Sequence, residues 1–189
     1  MLRGFIRCLP ALTLLSIPGH SATTFPTEEE TRAEFEAMCR HITSGTNHYF
    51  GRGMVEDLRE RLRDPVADPY VNVLVGGRLA HELIRIGEHR EAIEAVERAQ
   101  DLTDRARLDG VDLYARNPGL EKALVHLLAA AHFQIGEDEN CIGLHTPASC
   151  ILPLDRSAVH QRPDHVRTAG DLYSAWLERD PGDLQARWL

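Results

Sequence analysis

The chain has 189 residues and is 43% hydrophobic, which suits one ordinary domain or a short array of repeats. Aromatic residues make up only 6%, while Ala, Leu, Arg and Glu are abundant, and this favours helices over a β-sandwich. The formal net charge of −8 argues against general attraction to nucleic acid or to an anionic membrane.

Residues 1–22 have the three-part build of a secretory signal peptide. Arg3 and Arg7 precede the apolar run Cys8–Pro18, and small residues follow at the expected cleavage site. The run is too short to remain as a membrane span. We therefore expect an exported, extracytoplasmic protein located in the periplasm, on the cell surface or in the medium. The alternative is a buried N-terminal helix.

Residues 23–69 are predicted to form an N-terminal region of helices and linkers. Thr31–Met38 and Met54–Leu62 carry apolar residues at helical spacing. Between them, Thr43–Gly53 is rich in Gly, Ser, Thr and Asn and predicts a loop. Two Asp-Pro pairs then interrupt the chain before residue 70.

From residue 70 the pattern predicts a helix hairpin. A helical stripe runs from Val71 to Ile86 and ends at Gly87, a residue that suits the position just past a helix C-terminus. A second helix is predicted over Glu91–Leu102. Two such helices joined by a short turn form an αα-hairpin.

A second copy of this pattern follows about fifty residues later, as stacked repeats require. Leu79–Glu88 aligns with Leu128–Glu137, with Leu, Ala, Ile, Gly and Glu at matching places. The offset exceeds the tetratricopeptide period of about 34 because Thr103–Pro118 is inserted. The sequence therefore predicts an all-α fold, a short stack of tetratricopeptide-like hairpins over residues 70–189.

The second copy departs from the repeat after residue 139. Prolines and a glycine make a regular helix over Asn140–Pro153 unfavourable, so an irregular Cys/His loop is predicted at 140–162. A helix is expected again from Asp164 to Leu177, and Asp180–Asp183 ends it. Another helix is predicted to begin at Leu184, and the sequence ends within the apolar stripe of that helix. We therefore expect the natural protein to continue.

The Cys/His loop has two interpretations. In an oxidising compartment Cys141 and Cys150 are the natural disulfide pair, which leaves Cys39 over. The alternative is a metal or redox site for copper or zinc, because thiolates and imidazoles are suitable ligands. Its candidate ligands are Cys141, His145, Cys150 and His160. Their spacing matches no zinc-finger pattern.

Motifs for catalysis fail on inspection, so no enzyme is predicted and no catalytic residue is assigned. His81-Glu82 lacks the second histidine four residues on, where Arg85 stands. Ser149 has no Gly-x-Ser-x-Gly frame. The glycine pairs lack the Lys-Ser/Thr of a phosphate loop.

Residues 70–189 resemble the N-terminal tetratricopeptide-like region of secreted bacterial proteins that carry FG-GAP repeats and an ASPIC/UnbV domain. The resemblance is carried by Gly136–Pro153, His160 and Asp180–Leu189. It implies a fragment of a larger surface protein. The propeller and ASPIC/UnbV segments do not occur in this sequence, so their functions are not transferred.

The leading hypothesis is an exported helical-repeat scaffold for protein–protein or interdomain interaction. The partner would be a protein, a peptide or the missing C-terminal domains, held in a groove lined by the first helix of each hairpin. Candidate groove residues are Asn72, Arg78, His81, Arg85 and His126. His132 takes the place of Leu83 in the repeat alignment and could turn inward. The alternative hypothesis is the metal or redox protein centred on the Cys/His loop.

Overall fold

A computed structural model describes residues 26–43, 49–146, 156 and 159–188. Every regular element in these ranges is helical and none is a strand, which confirms the all-α class. The predicted signal peptide lies outside the described residues. The elements are α1 (Glu28–Thr43), α2 (Gly53–Arg63), α3 (Pro69–Arg85), α4 (His89–Leu108), α5 (Leu113–Arg116), α6 (Pro118–Glu137), the π-helical turn π1 (Asp138–Ile142), α7 (Asp164–Arg179) and α8 (Leu184–Trp188).

Contacts divide the chain into two units, Met1–Ala37 and Met38–Leu189. In the first unit, Thr27 and Glu30 form a reciprocal capping pair at the start of α1. The Thr27 amide donates to the Glu30 carboxylate at 2.7 Å, and the Glu30 amide donates to Thr27 Oγ1 at 3.2 Å. The Thr27 amide and hydroxyl both donate to the Glu30 carboxylate, and these two hydrogen bonds lower its pKa.

In the second unit, helix starts fall where the sequence supplies a cap followed by proline. Asp68 accepts the Tyr70 amide at 2.9 Å, and α3 begins at Pro69. Asn117 accepts the Gly119 amide at 3.1 Å, and α6 begins at Pro118. Proline is tolerated in a first turn because its missing N–H has no intrahelical partner there. The interruption predicted at the second Asp-Pro pair, Asp68-Pro69, is confirmed.

The pair α3–α4 packs through small and aliphatic side chains. Gly76 lies so close to α4 that an added Cβ would stand 3.3 Å from Ala99 Cβ. Leu83 and Val96 are fully buried in the same core. Gly87, at φ +82°, forms the turn between the helices, as the sequence predicts.

Consecutive helices pack on one another, α2 on α3, α3 on α4, α4 on α6, α6 on α7 and α7 on α8. The fold is therefore an all-α arrangement, while membership of the tetratricopeptide-like repeats stays a prediction. The expected end of the second helix at Leu102 is wrong. Helix α4 continues to Leu108 because Thr103 and Ala106 are buried along it, and Thr103 Oγ1 donates to the Ala99 carbonyl.

Candidate functional site

A groove of about 540 Å³ lies between α3 and α6 and reaches α8. Most of its lining is aliphatic, with a few polar side chains among the apolar ones. The lining residues are Val73, Leu74, Gly77, Arg78, His81, Ile84, Leu120, Ala123, Leu124, His126, Leu127, Ala130 and Gln185. Such a mixture of apolar wall and few polar groups is typical of a ligand site.

The ionisable side chains that line this groove are Arg78, His81 and His126, and no acid is among its described lining residues. Beneath them, Glu82 is fully buried. Its carboxylate pairs with Arg78 at 2.7 Å and with Arg85 Nε at 2.7 Å. Burial raises the pKa of Glu82, but the Arg85 hydrogen bond and the Arg78 charge outweigh it, so the pKa is lowered. The buried carboxylate therefore fixes Arg78 at the groove.

A second buried carboxylate, Asp183, lies under α6. Its Oδ2 accepts from His126 Nε2 at 2.7 Å and from Trp176 Nε1 at 2.8 Å, and pairs with Lys122 Nζ at 3.0 Å. Its Oδ1 accepts the amide of Gln185 at 3.0 Å, which caps α8.

The ionisation of Asp183 fixes the tautomer of His126. Burial raises the pKa of Asp183, but the hydrogen bonds from Lys122, His126 and Trp176 prevail and hold that pKa far below its ordinary value. Asp183 is therefore an acceptor, so His126 must carry a proton on Nε2. Tyr173 packs edge-on against the imidazole at 5.4 Å between ring centroids.

Three of the five predicted groove residues, Arg78, His81 and His126, line the groove. The other two do not. Asn72 faces the opposite side of α3, where its side chain exchanges hydrogen bonds with the Val66 backbone at 2.7 and 3.1 Å. Arg85 donates to Glu82 and to the Gly51 carbonyl. Asn72 thus holds the loop before α3, and Arg85 holds the loop before α2. The assignment of these two residues to the groove is therefore wrong.

The Cys/His loop is only partly described. Cys141 Sγ lies 3.8 Å from His160 Nε2, so two of the four candidate metal ligands meet. His145 is exposed, and Cys150 lies outside the described residues. Across the described ranges, no three His, Cys, Asp or Glu side chains are grouped to hold a metal ion. The Cys141–Cys150 disulfide stays a prediction.

Asn140 connects this loop to the helices. Its side chain donates to the Gly136 and Arg162 carbonyls, both at 2.8 Å, and accepts the Arg162 amide at 2.9 Å. The departure from regular helix near residue 140 agrees with the sequence, because π1 replaces α-helical turns there. The segment leading into α7 is thus fixed to the end of α6.

His132 does turn inward, and it meets a histidine outside the predicted ligand set. Its Nδ1 lies 2.8 Å from Nδ1 of His165 on α7. The two rings are tilted by 33° with centroids 5.0 Å apart.

Sequence reasoning missed two groups at these sites, Asp183 and His165. The sequence pattern assigns Asp183 only to a helix boundary, and an Asp directly before the first residue of α8 is the available sign of a cap. Nothing in the sequence links Asp183 to His126 or His165 to His132, since each contact joins helices far apart in the chain.

Comparison with known protein families, with curated proteins and with solved structures finds no match for this chain. The resemblance to FG-GAP and ASPIC/UnbV proteins therefore stays a prediction. Within the described part of the chain, no helix has the length and apolar character needed to cross a membrane.

Proposed function

We propose that this protein is an interaction scaffold that binds a segment of a partner protein in the groove between α3 and α6. The observation that carries the proposal is the lining itself. Aliphatic side chains from two packed helices stand beside Arg78, His81 and His126, and two buried carboxylates hold the cationic and imidazole groups in place. Fixed side chains lose little conformational entropy when a ligand binds.

The charge distribution indicates the chemistry of the partner. The whole chain carries a net charge of −8, whereas the charged groups on the groove lining are basic. Glu82 and Asp183 are buried and already paired. The segment that fits presents aliphatic or aromatic side chains together with at least one carboxylate, which meets Arg78.

Selection from a random peptide library tests this proposal. Ala123 lines the groove and is exposed, so its substitution leaves the core unchanged. We expect enriched peptides to combine apolar and acidic residues, and Ala123→Glu to weaken their binding about tenfold or more, whereas Ala123→Lys retains it. Ala175→Glu, on an exposed part of α7, is the matched control. Failure to enrich any peptide, or equal loss in the control, contradicts the proposal.

Export and a place in a larger surface protein belong to the same proposal. They are supported by the signal-peptide pattern of residues 1–22 and by the resemblance of residues 70–189 to secreted bacterial proteins. N-terminal sequencing of the protein produced in a bacterial host tests export. Cleavage after residue 22 or nearby is the expected result, and an intact N-terminus contradicts it.

A metal or redox function is the second candidate, and the contact of Cys141 with His160 favours it. Copper or zinc analysis of the purified protein, with Cys141→Ser and His160→Gln as comparisons, decides the question. Stoichiometric metal that both substitutions remove supports a metal function. Metal-free protein with an intact peptide-binding groove contradicts it.

A further inference from the structure

The contact between His132 and His165 joins the middle of α6 to the first turn of α7. Both Nδ1 atoms lie at hydrogen-bond distance, 2.8 Å apart. The ring centroids are 5.0 Å apart, which is close to the distance between the two nitrogens plus the radii of both rings. The nitrogens therefore point at each other along the line between the rings.

This head-on geometry distinguishes a shared proton from a shared metal ion. Two imidazoles that bind one metal converge on it at an angle, with each nitrogen about 2.0–2.1 Å from the ion. Facing nitrogens at 2.8 Å leave no room for an ion between them. One Nδ1 must donate a proton and the other must accept it.

We propose that His132 and His165 form a proton-operated contact, the histidine bridge, which holds α7 against α6 and is lost when both rings are protonated. When both rings are neutral, or when only one of them is an imidazolium, the pair keeps one Nδ1–H donor and one Nδ1 acceptor. With a proton on every ring nitrogen, both Nδ1 atoms are donors and two positive charges face each other. The bridge then repels the two helices.

The direction of the pH effect follows from the surroundings. Burial, followed by the charge of His165, lowers the pKa of His132 below its ordinary value of 6.5. Since the folded chain then binds fewer protons than the unfolded chain, acidification favours unfolding. The contribution of the bridge is complete above the ordinary pKa and declines as the pH falls towards the lowered one.

Other charged groups on the packed elements do not replace this interaction. The charged residues closest to the two histidines in sequence are Asp164 and Arg167 on α7, Glu137 on α6, and Asp138 and Glu139 on π1. Glu137 accepts from Gln134, Asp138 faces His89 and Glu139 pairs with Arg90.

Loss of the bridge acts on a defined part of the interface. Val166, next to His165, fills the space that a side chain at Gly136 would need. Asn140 fixes Arg162 just before α7. The other end of α7 is held separately by Trp176 and Asp183. Acid therefore loosens the N-terminal half of α7 first.

Denaturant unfolding of the full chain at about pH 7.5 and about pH 5.5 tests the proposal. Asn keeps a hydrogen-bonding group near the Nδ1 position without titrating, so His165→Asn and His132→Asn are the informative variants. We expect acidification to reduce the folding equilibrium constant of the wild type about tenfold more than that of either variant. His145→Asn, which replaces an exposed histidine outside α6 and α7, is the control and should show the same pH dependence as the wild type.

Nitrogen NMR of the imidazoles keeps the proposal testable if a variant does not fold. At about pH 7.5 one bridging Nδ1 should show the shift of a protonated nitrogen and the other that of an unprotonated one. Two unprotonated Nδ1 atoms at that pH overturn the proposal. So does equal pH dependence of the wild type and the folded Asn variants.

Discussion

The helix pairs α3–α4 and α6–α7 begin from similar sequences and are held together differently. Ile86-Gly87-Glu88 and Ile135-Gly136-Glu137 align in the predicted repeat, yet Gly87 takes φ +82° and ends its helix, while Gly136 stays inside α6. The first pair packs through Gly76, Ala99 and other small or aliphatic residues. The second pair uses polar contacts, the buried one of His126 with Asp183 and the partly buried one of His132 with His165.

This difference shows that one local motif supports two structures. A glycine ends a helix when the chain turns back at once, as it does before α4. At Gly136 the helix continues to Glu137, and the missing side chain leaves the space that Val166 of α7 occupies. The two aligned segments have a glycine at the same place, and the residues that pack against each glycine decide its structural role. The polar contacts then make the packing of α7 on α6 depend on charge.

The largest effect is expected from Asp183→Asn. The substitution removes the charge that Lys122, His126 and Trp176 all face, and it places an amide donor among donors. We expect it to lower the melting temperature more than reduction of the predicted disulfide or substitution of a helix glycine does. Asp171→Asn, on an exposed part of α7, is the matched control and should have no comparable effect. Equal melting temperatures for the two variants would contradict the account.

The next effect concerns the Cys/His loop of the second pair. If Cys141 and Cys150 form a disulfide, its reduction should lower the free energy of unfolding by roughly 2–3 kcal/mol. Thiol counting on exported native protein should find both sulfurs blocked until a reductant is added. Cys39→Ser should leave that result unchanged. Two reactive thiols at Cys141 and Cys150 without reductant would refute the pairing.

A methyl group at Gly136 should cost about 1–2 kcal/mol, because it overlaps a Val166 methyl and overpacking outweighs the gain in helix propensity. Urea unfolding of Gly136→Ala measures the loss. The double variant with Val166→Ala should recover most of it, since the overlap is removed. Additive losses in the double variant would show that the contact with α7 does not determine the role of this glycine.

The same change at Gly87 should cost about 1 kcal/mol for another reason, the positive φ of its backbone. No side chain lies within 4 Å of an added Cβ there, so the effect is one of conformation. Gly87→Asn should cost less than Gly87→Ala, because Asn adopts the left-handed region more readily. The reverse order of the two variants in urea unfolding would contradict this explanation.

The sequence predicts those parts of the fold that depend on local chemistry. Asp68 caps a helix at one of the expected prolines, and Gly87 turns the chain. The end of α4 and the role of Gly136 depend on burial against other helices, which periodicity alone does not show. At the site, Arg78, His81 and His126 follow from the face of each helix. Their buried partners come from distant segments and leave no spacing in the sequence.

Amide chemical-shift mapping tests the central claim most directly. A peptide enriched from the random library, carrying apolar residues and a carboxylate, would be titrated into the isotope-labelled chain. We predict that the perturbed amides lie along α3 and α6 around Gly77 and Ala123, and that Ala123→Glu raises the peptide concentration needed for half of the shift about tenfold or more. Perturbations confined to other helices, or an unchanged titration curve in Ala123→Glu, would contradict the claim that this groove is the binding site.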